Sequence, residues 1–173
     1  MPSCRAWKKQ GSSSSSTVLL LENTYPNIEP EEFYNWVKNS KERLTWDPRW
    51  VNASILSTDG DTEILSMMTT KPPIPMVSAR EFVVKTAYLG QTGDGYLIVG
   101  SSTTHAAKPE TKDNVRGHFY LVSQLIKPNP NGKGTLQIEV RDVDWCGSLP
   151  DMITNKINDA MPTKNFQTWV ECI

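Results

Sequence analysis

The chain is sparsely supplied with groups that carry out chemistry. Its 173 residues include two imidazoles, His105 and His118, and three thiols, Cys4, Cys146 and Cys172. Neither histidine has a second ligand at metal-binding spacing, and no CxxC pair occurs. The odd cysteine count, with Cys4 near the start and Cys172 beside the last residue, reads as free thiols of a reducing compartment. Acid–base catalysis needs an acid and a base converging on one bond. The strands below offer tyrosines, hydroxyls, Arg80 and Glu139, with no nucleophilic cysteine or histidine on an inward set. Such groups are suited to hydrogen-bonding a polar ligand inside an apolar pocket. The expectation is a binding protein rather than an enzyme, with no cofactor and no metal.

Bulk properties agree. Hydrophobic residues make up 38% of the chain and charged residues 21%, with a net charge of −1. That leaves no field to hold nucleic acid. No apolar run approaches the roughly 18 residues of a membrane span, and there is no signal-peptide core.

These residues sit on a simple series of elements. Residues 1–16 end in Gly11 and five serines and read as a disordered tail, with 17–173 as one domain. Thr17–Tyr25 patterns as a strand, and Glu29-Pro30-Glu31-Glu32 opens a helix. Six further strands follow: Trp50–Thr58, Glu63–Thr70, Arg80–Leu89, Tyr96–Thr104, Val115–Lys127 and Thr135–Trp145. A long helix begins near Leu149, with Ile153, Ile157, Ala160 and Met161 on one face and Pro162 expected to kink it. The fold class is α+β: a strongly curved antiparallel sheet of about seven strands wrapped around the C-terminal helix, with a pocket between them. The stretch Thr69–Ala79 carries three prolines yet also Ile74, Met76 and Val77, which a plain turn does not need.

Alternation divides each strand into two faces. On Arg80–Leu89 only Phe82, Val84, Thr86 and Tyr88 can line an apolar pocket. On Val115–Lys127 the corresponding set is Phe119, Leu121, Ser123 and Leu125, which places His118 outside. On Thr135–Trp145 apolarity favours Leu136, Ile138 and Val140 facing inward.

Trp46-Asp47-Pro48, Thr62-Glu63-Ile64-Leu65, Ser78-Ala79-Arg80-Glu81-Phe82-Val83, Val115-Arg116 and Gly147-Ser148-Leu149-Pro150 occur in order. Together they resemble the landmarks of the START (steroidogenic acute regulatory-related lipid transfer) domain, over roughly residues 17–170. The resemblance implies the helix-grip fold shared with Bet v 1-like proteins, and an internal cavity for one lipid. It also implies transfer or sensing of that lipid at membranes. It chooses Tyr96, Ile98 and Gly100 as the inner set of their strand and points Glu139 inward, against the apolar set, unless a bulge reconciles the two. Sterol-carrying members have an acidic residue and an arginine where this chain has Met67 and Thr86, so a phospholipid or other acyl-chain lipid is favoured over a sterol. Two further strands and an N-terminal helix usual in the family have no counterpart in the reading of residues 1–16.

The expected ligand-lining set is therefore Met67, Arg80, Phe82, Val84, Thr86, Tyr88, Tyr96, Ile98, Phe119, Leu121, Ser123 and Glu139 from the sheet. Ile153, Ile157 and Met161 join it from the helix. Lys71, Ile74, Met76 and Val77 form an expected membrane-facing gate loop. Burying a CH₂ is worth about 0.8 kcal/mol from water but nearly nothing from a bilayer, so polar groups must choose the head group. The expected partners are a lipid and, transiently, a membrane surface, for a cytoplasmic monomer. The competing readings are an interaction domain with a filled concavity and a cyclase- or hydrolase-type enzyme.

Overall fold

The computed structural model describes residues 1–47, 50–69 and 78–172. The elements run β1 Ser3–Gln10, β2 Ser16–Tyr25, α1 Pro30–Lys38, α2 Ser40–Trp46, β3 Trp50–Asp59 and β4 Thr62–Thr69. They continue with β5 Arg80–Thr92, β6 Gly95–Ser102, β7 Val115–Arg116, β8 His118–Pro128, β9 Thr135–Asp144 and α3 Asp151–Cys172. The sheet order is β1-β2-β9-β8-β6-β5-β4-β3, antiparallel throughout, with the two-residue β7 pairing β5 in parallel. The curved sheet and C-terminal helix expected from the sequence are both present.

Among the described residues the strand count is nine rather than about seven, for two reasons. The Val115–Lys127 run divides at Gly117, whose amide donates to Glu81 O at 2.9 Å and which lies against the Phe82 ring. A Cβ there would approach the ring to 2.4 Å, so only glycine lets the chain pass this close. The second addition is β1. Residues 1–16, expected to be disordered, instead form a strand paired with β2 along its whole length, from Ser3 with Thr24 to Gln10 with Thr17.

The serines expected to be disordered close this hairpin. The Ser12 amide and hydroxyl both donate to Asp142 Oδ2, at 2.9 and 2.5 Å, and the Ser15 hydroxyl donates to Asp144. Asp142 and Asp144 are nearly buried on β9, so they need donors that the sheet ladder does not supply. A serine-rich turn provides them at low side-chain entropy. Both carboxyls are held below the usual carboxylate range. Burial works against this, but the serine donors outweigh it, with the Cys146 amide adding a donor at Asp144.

Helix α1 begins as its sequence suggests, with Pro30 in the first turn, Glu31 and Glu32 beside it and Lys38 in the last turn. Its buried face of Phe33, Tyr34 and Val37 meets Tyr25, Tyr88, Ile98 and Ile126 of the sheet and Trp169 of α3. A second apolar cluster, Phe82, Val84, Val143 and Trp145, receives Leu149 and Ile157. Helix α3, which continues through Pro162, thus crosses the concave face with one end in each cluster. Phe166 packs on Tyr25 with ring centres 5.5 Å apart, and Trp169 on Phe33 at 5.6 Å.

The serine turn gives a test with a defined sign. Carboxyls depressed in the fold contribute stability above their unfolded value of 3.8, and this is lost as pH falls through the lower folded values. Replacing Ser12 and Ser15 with alanine should cost about 1 kcal/mol per lost donor near pH 6. Denaturant titrations should show that gap closing below pH 3.8, and a gap unchanged down to pH 3 would contradict the assignment.

Candidate functional site

The register of the sheet defines which side chains share the face under α3. Paired residues on antiparallel strands point the same way. On β5 these are Phe82, Val84, Thr86 and Tyr88, all buried, as expected from alternation. Across β4 they face Met67, Leu65 and Glu63, and across β6 Thr86 pairs Gly100 while Tyr88 pairs Ile98. Tyr96 pairs Ile126 and stacks on Tyr34 with ring centres 4.8 Å apart.

Strand β8 departs from its expected alternation. A register shift between Phe119 and Leu121 inserts one residue, and every side chain beyond it exchanges faces. Phe119 remains inside, its ring centre 4.5 Å from that of Phe82. Leu121 and Ser123, expected inside, lie on the outer face with Leu125, and Leu121 is exposed. Val122, Gln124 and Ile126 take their places.

On β9 the polar set faces inward: Gln137, Glu139 and Arg141 are buried while Leu136, Ile138 and Val140 are only half-buried. The open choice about this strand is settled in favour of an inward Glu139. No bulge in β9 is needed: its pairing with β2 runs unbroken from Ser16–Asp144 to Tyr25–Thr135. The row is extended by its neighbours. Gln137 accepts from Asn23 Nδ2 at 3.0 Å and from the Tyr25 hydroxyl at 3.2 Å, and donates to Gln124 at 2.9 Å. Arg141 Nε donates to Glu139 Oε1 at 2.5 Å, with the two side chains 10% and 5% exposed. Burial pulls the guanidinium pKa down, but Glu139, Asp47 and Tyr25 more than compensate, so it is held above its ordinary value.

A second pair, Arg43 with Asp47 at 3.2 Å, lies on α2, and the Arg43 guanidinium sits 5.1 Å from the Trp169 ring centre. Farther along, Trp145 Nε1 donates to Asn158 Oδ1 at 2.9 Å, which ties α3 to the end of β9. Tyr88 and Ser40 both direct hydroxyls at Glu63, at 3.2 and 2.6 Å, and burial is the main force pushing the Tyr88 phenol up to about 12.

Arg80 has a different setting from a pocket-lining group. It is buried, and its guanidinium donates to the backbone carbonyls of Ser78, Trp145 and Cys146. It joins the start of β5 to the connection that leads into α3. Ile157 packs in the Phe82–Trp145 cluster, and Ile153 is half-buried on the same helix. The gate residues Lys71, Ile74, Met76 and Val77, and the Met161 side chain, lie outside the described residues. The described residues bound two depressions away from the concave face. One, of about 280 Å³, lies between the serine turn, Asp144–Gly147 and the first turn of α3. The other, of about 260 Å³, lies on the outer face around Ser57, Thr62 and Lys85.

Sequence reasoning missed Gln137, Arg141, Asn23, Gln124, Asp47 and Asn158. The alternating Gln137-Glu139-Arg141 series was the one local signal available, and the equally regular Leu136-Ile138-Val140 series masked it.

A curved antiparallel sheet gripping a C-terminal helix, with a polar row buried between them, defines the helix-grip class. The START domain model matches residues 15–173, and the chain belongs to that family. It is 37% identical over 84 residues to steroidogenic acute regulatory-like protein 1 of Caenorhabditis elegans, covering 47% of this chain and 32% of the relative. It is 22% identical over 127 residues to the human mitochondrial StAR-related lipid transfer protein 7, covering 72% of this chain and 34% of that protein. It thus spans about a third of the length of these two relatives. The crystal structure of human STARD10 superposes with a TM-score of 0.81 at 19% identity, covering 97% of this chain and 68% of that one.

The buried ion pair should respond asymmetrically to mutation. Arg141→Met leaves Glu139 without its partner and should cost about 3–5 kcal/mol. Replacing both, as Glu139→Leu with Arg141→Met, should cost less than half of that. Urea denaturation of the three proteins measures the difference. A double variant as unstable as the single one would show that the pair itself holds the fold.

Proposed function

We propose that this chain binds a single lipid between the concave face of its sheet and α3, and carries it between membranes or reports its presence. Support comes from the family membership together with one physical observation. The concave face is apolar at both ends, yet it buries Glu139, Arg141, Gln137 and Gln124 between its two apolar clusters. A protein evolving only for a packed core does better with hydrophobic residues there, because buried ion pairs rarely add net stability. A ligand with a polar head and apolar chains explains both halves of that surface.

In this proposal the work is transport rather than catalysis, in keeping with the lipid transfer protein among its relatives. Among the described residues no group of three or more histidine, cysteine or acidic side chains is placed to hold a metal. Cys146, a possible nucleophile near the end of β9, has its thiol pushed up to about 11, first by burial and then by Asp144, which keeps it protonated and unreactive at neutral pH. No described helix is long and apolar enough to cross a membrane. As part of the same proposal, the protein acts as a monomer in a reducing compartment and touches the bilayer only while lipid enters or leaves.

Val122 pairs with Arg141 and shares its face, which makes it a position from which to fill the concavity. Val122→Trp should reduce co-purified lipid, and transfer of fluorescent lipid between vesicles, by at least about tenfold. Overpacking of this kind typically costs about 1–3 kcal/mol of stability. Native mass spectrometry of the purified protein gives the loading directly. A folded Val122→Trp protein that loads and transfers as well as wild type would put the lipid elsewhere.

A further inference from the structure

A purely cationic stretch leads into the serine turn. Arg5, Lys8 and Lys9 lie ahead of it on β1, and no carboxylate side chain precedes Glu22, in a chain whose net charge is −1. β1 is an edge strand of the sheet and is exposed over nearly its whole length. Ser12, just beyond its end, is exposed as well, with Lys9 three residues and Lys8 four residues before it. Lys8 Nζ is paired with Asp159 of α3 at 2.5 Å, whereas Lys9 forms no ion pair among the described residues. A free lysine on an open strand, spaced in this way from an exposed hydroxyl, is a charge pattern that an acidic substrate groove selects.

We propose that Ser12 is a phosphorylation site for a protein kinase that reads basic residues, and that the phosphate opens the β1–β2 hairpin. In the transfer, the bond from Ser12 Oγ to the γ-phosphorus of ATP forms as the bond from that phosphorus to the departing ADP oxygen breaks. The hydroxyl proton passes to a carboxylate of the kinase. The surroundings of the product are fixed by the turn. The Ser12 hydroxyl and amide both donate to Asp142 Oδ2, and Asp142 is 5% exposed. Phosphorylation removes the hydroxyl donor and sets a charge of about −1.5 to −2 against a buried carboxylate. The turn has no space to absorb it: a Cβ at Gly11 would stand 2.3 Å from Asp142 Oδ1 and 2.2 Å from Ser16 Oγ. The adjoining depression offers no cation, since its lining carries Asp144 and Asp151 and no lysine or arginine. Lys9 is exposed, so its attraction is screened by solvent, while the repulsion from buried Asp142 is not. A phosphate placed against acidic side chains melts the segment that carries it.

The effect reaches the helix over the concave face. Lys8 pairs in register with Leu19, whose side chain is buried on that face, and this orientation is what lets an edge strand reach Asp159 on α3. The β1–β2 ladder ends at Gln10 with Thr17, next to the turn. Opening the turn frees β1 to fray from Gln10 toward Ser3 and takes Lys8 away from Asp159. The modification thus couples a kinase to how firmly α3 is held, on grounds that do not involve the lipid.

The test treats the whole folded chain with cyclic-AMP-dependent protein kinase and magnesium ATP, and locates the phosphate by peptide mass spectrometry. Ser12 should carry it, and Lys9→Met should slow its addition about tenfold by removing one charge contact in the kinase groove. Hydrogen exchange then compares the modified and unmodified chains. Amides of β1 should exchange at least about tenfold faster after phosphorylation, with a smaller rise in the part of α3 around Asp159. Asp142→Asn keeps an acceptor for Ser12 but removes the charge, so its phosphorylated form should show a rise of less than about threefold. Phosphate on no serine, or on Ser13, Ser14 or Ser15 in place of Ser12, overturns the inference. So does a phosphorylated chain whose β1 exchanges no faster than before, a Lys9→Met protein modified at the wild-type rate, or an equal rise in Asp142→Asn. Neither readout involves lipid, so each of these results leaves the carrier reading standing.

Discussion

The rest of the molecule is arranged around one costly choice, a carboxylate and a guanidinium buried side by side on an interior strand of a concave sheet. Neither charge is tolerable in an apolar interior without a partner. Glu139 and Arg141 meet this by standing two residues apart on β9, where the pleat turns both to the same face. On that face the pair is flanked by apolar residues and by Gln124, which pairs Glu139 on β8. Leu21 pairs Glu139 and Leu19 pairs Arg141 on β2, and Val122 pairs Arg141 on β8. The aliphatic neighbours lower the local dielectric and strengthen the pair. Asp47 adds to the field at Arg141 from α2, so the first helical segment is electrostatically tied to the centre of the sheet.

This arrangement explains why two apolar clusters form rather than one. The Tyr25–Trp169 cluster closes one end of the concavity with α1, and the Phe82–Trp145 cluster closes the other with the start of α3. Each anchors one end of α3. Between them lie Asn158 and the β9 row, where the contacts are polar and incompletely satisfied. A helix held at its ends over an under-satisfied middle fits the enclosure and release of lipid proposed above.

The sequence made the architecture legible wherever a strand is regular and the pattern has only one reading. The inner face of β5 follows from alternation because only one of its two sets is apolar. The inner face of β8 does not, because a single inserted residue near Tyr120 exchanges Leu121 and Ser123 for Val122 and Gln124. A bulge leaves no compositional mark in a run where both faces carry apolar residues. On β9 both alternating sets were regular, so local patterning could not decide, and burial of a charged set depends on partners distant in sequence. The N-terminal segment was misread for a related reason. Five serines signal disorder by composition, yet here their hydroxyls satisfy Asp142 and Asp144, about 130 positions away, as the separations of 129 and 130 show. Nothing local distinguishes a serine that is solvated from one that is waiting for a buried carboxylate.

Arg80 belongs to the part of the sequence that was legible, but its work differs from lining a pocket. The connection from β9 to α3 contains Cys146 and Gly147, with φ of 49° and 71°, two consecutive residues in the left-handed region. A cysteine there is uncomfortable unless held, and its amide is held by Asp144 Oδ1 at 2.7 Å. Arg80 fixes the same turn from the opposite side through the Trp145 and Cys146 carbonyls, and reaches back to Ser78 at the end of the segment that precedes β5. A buried cation thus braces the turn from which α3 leaves the sheet, alongside the packing of the helix itself. Trp145, positioned by that clamp, in turn carries the hydrogen bond to Asn158. The chain of contacts from Ser78 through Arg80 and Trp145 to Asn158 links the entrance of β5 to the polar row beneath the helix. A motif that resembles a family landmark thus acts at a distance, by fixing where α3 sits over Glu139 and Arg141.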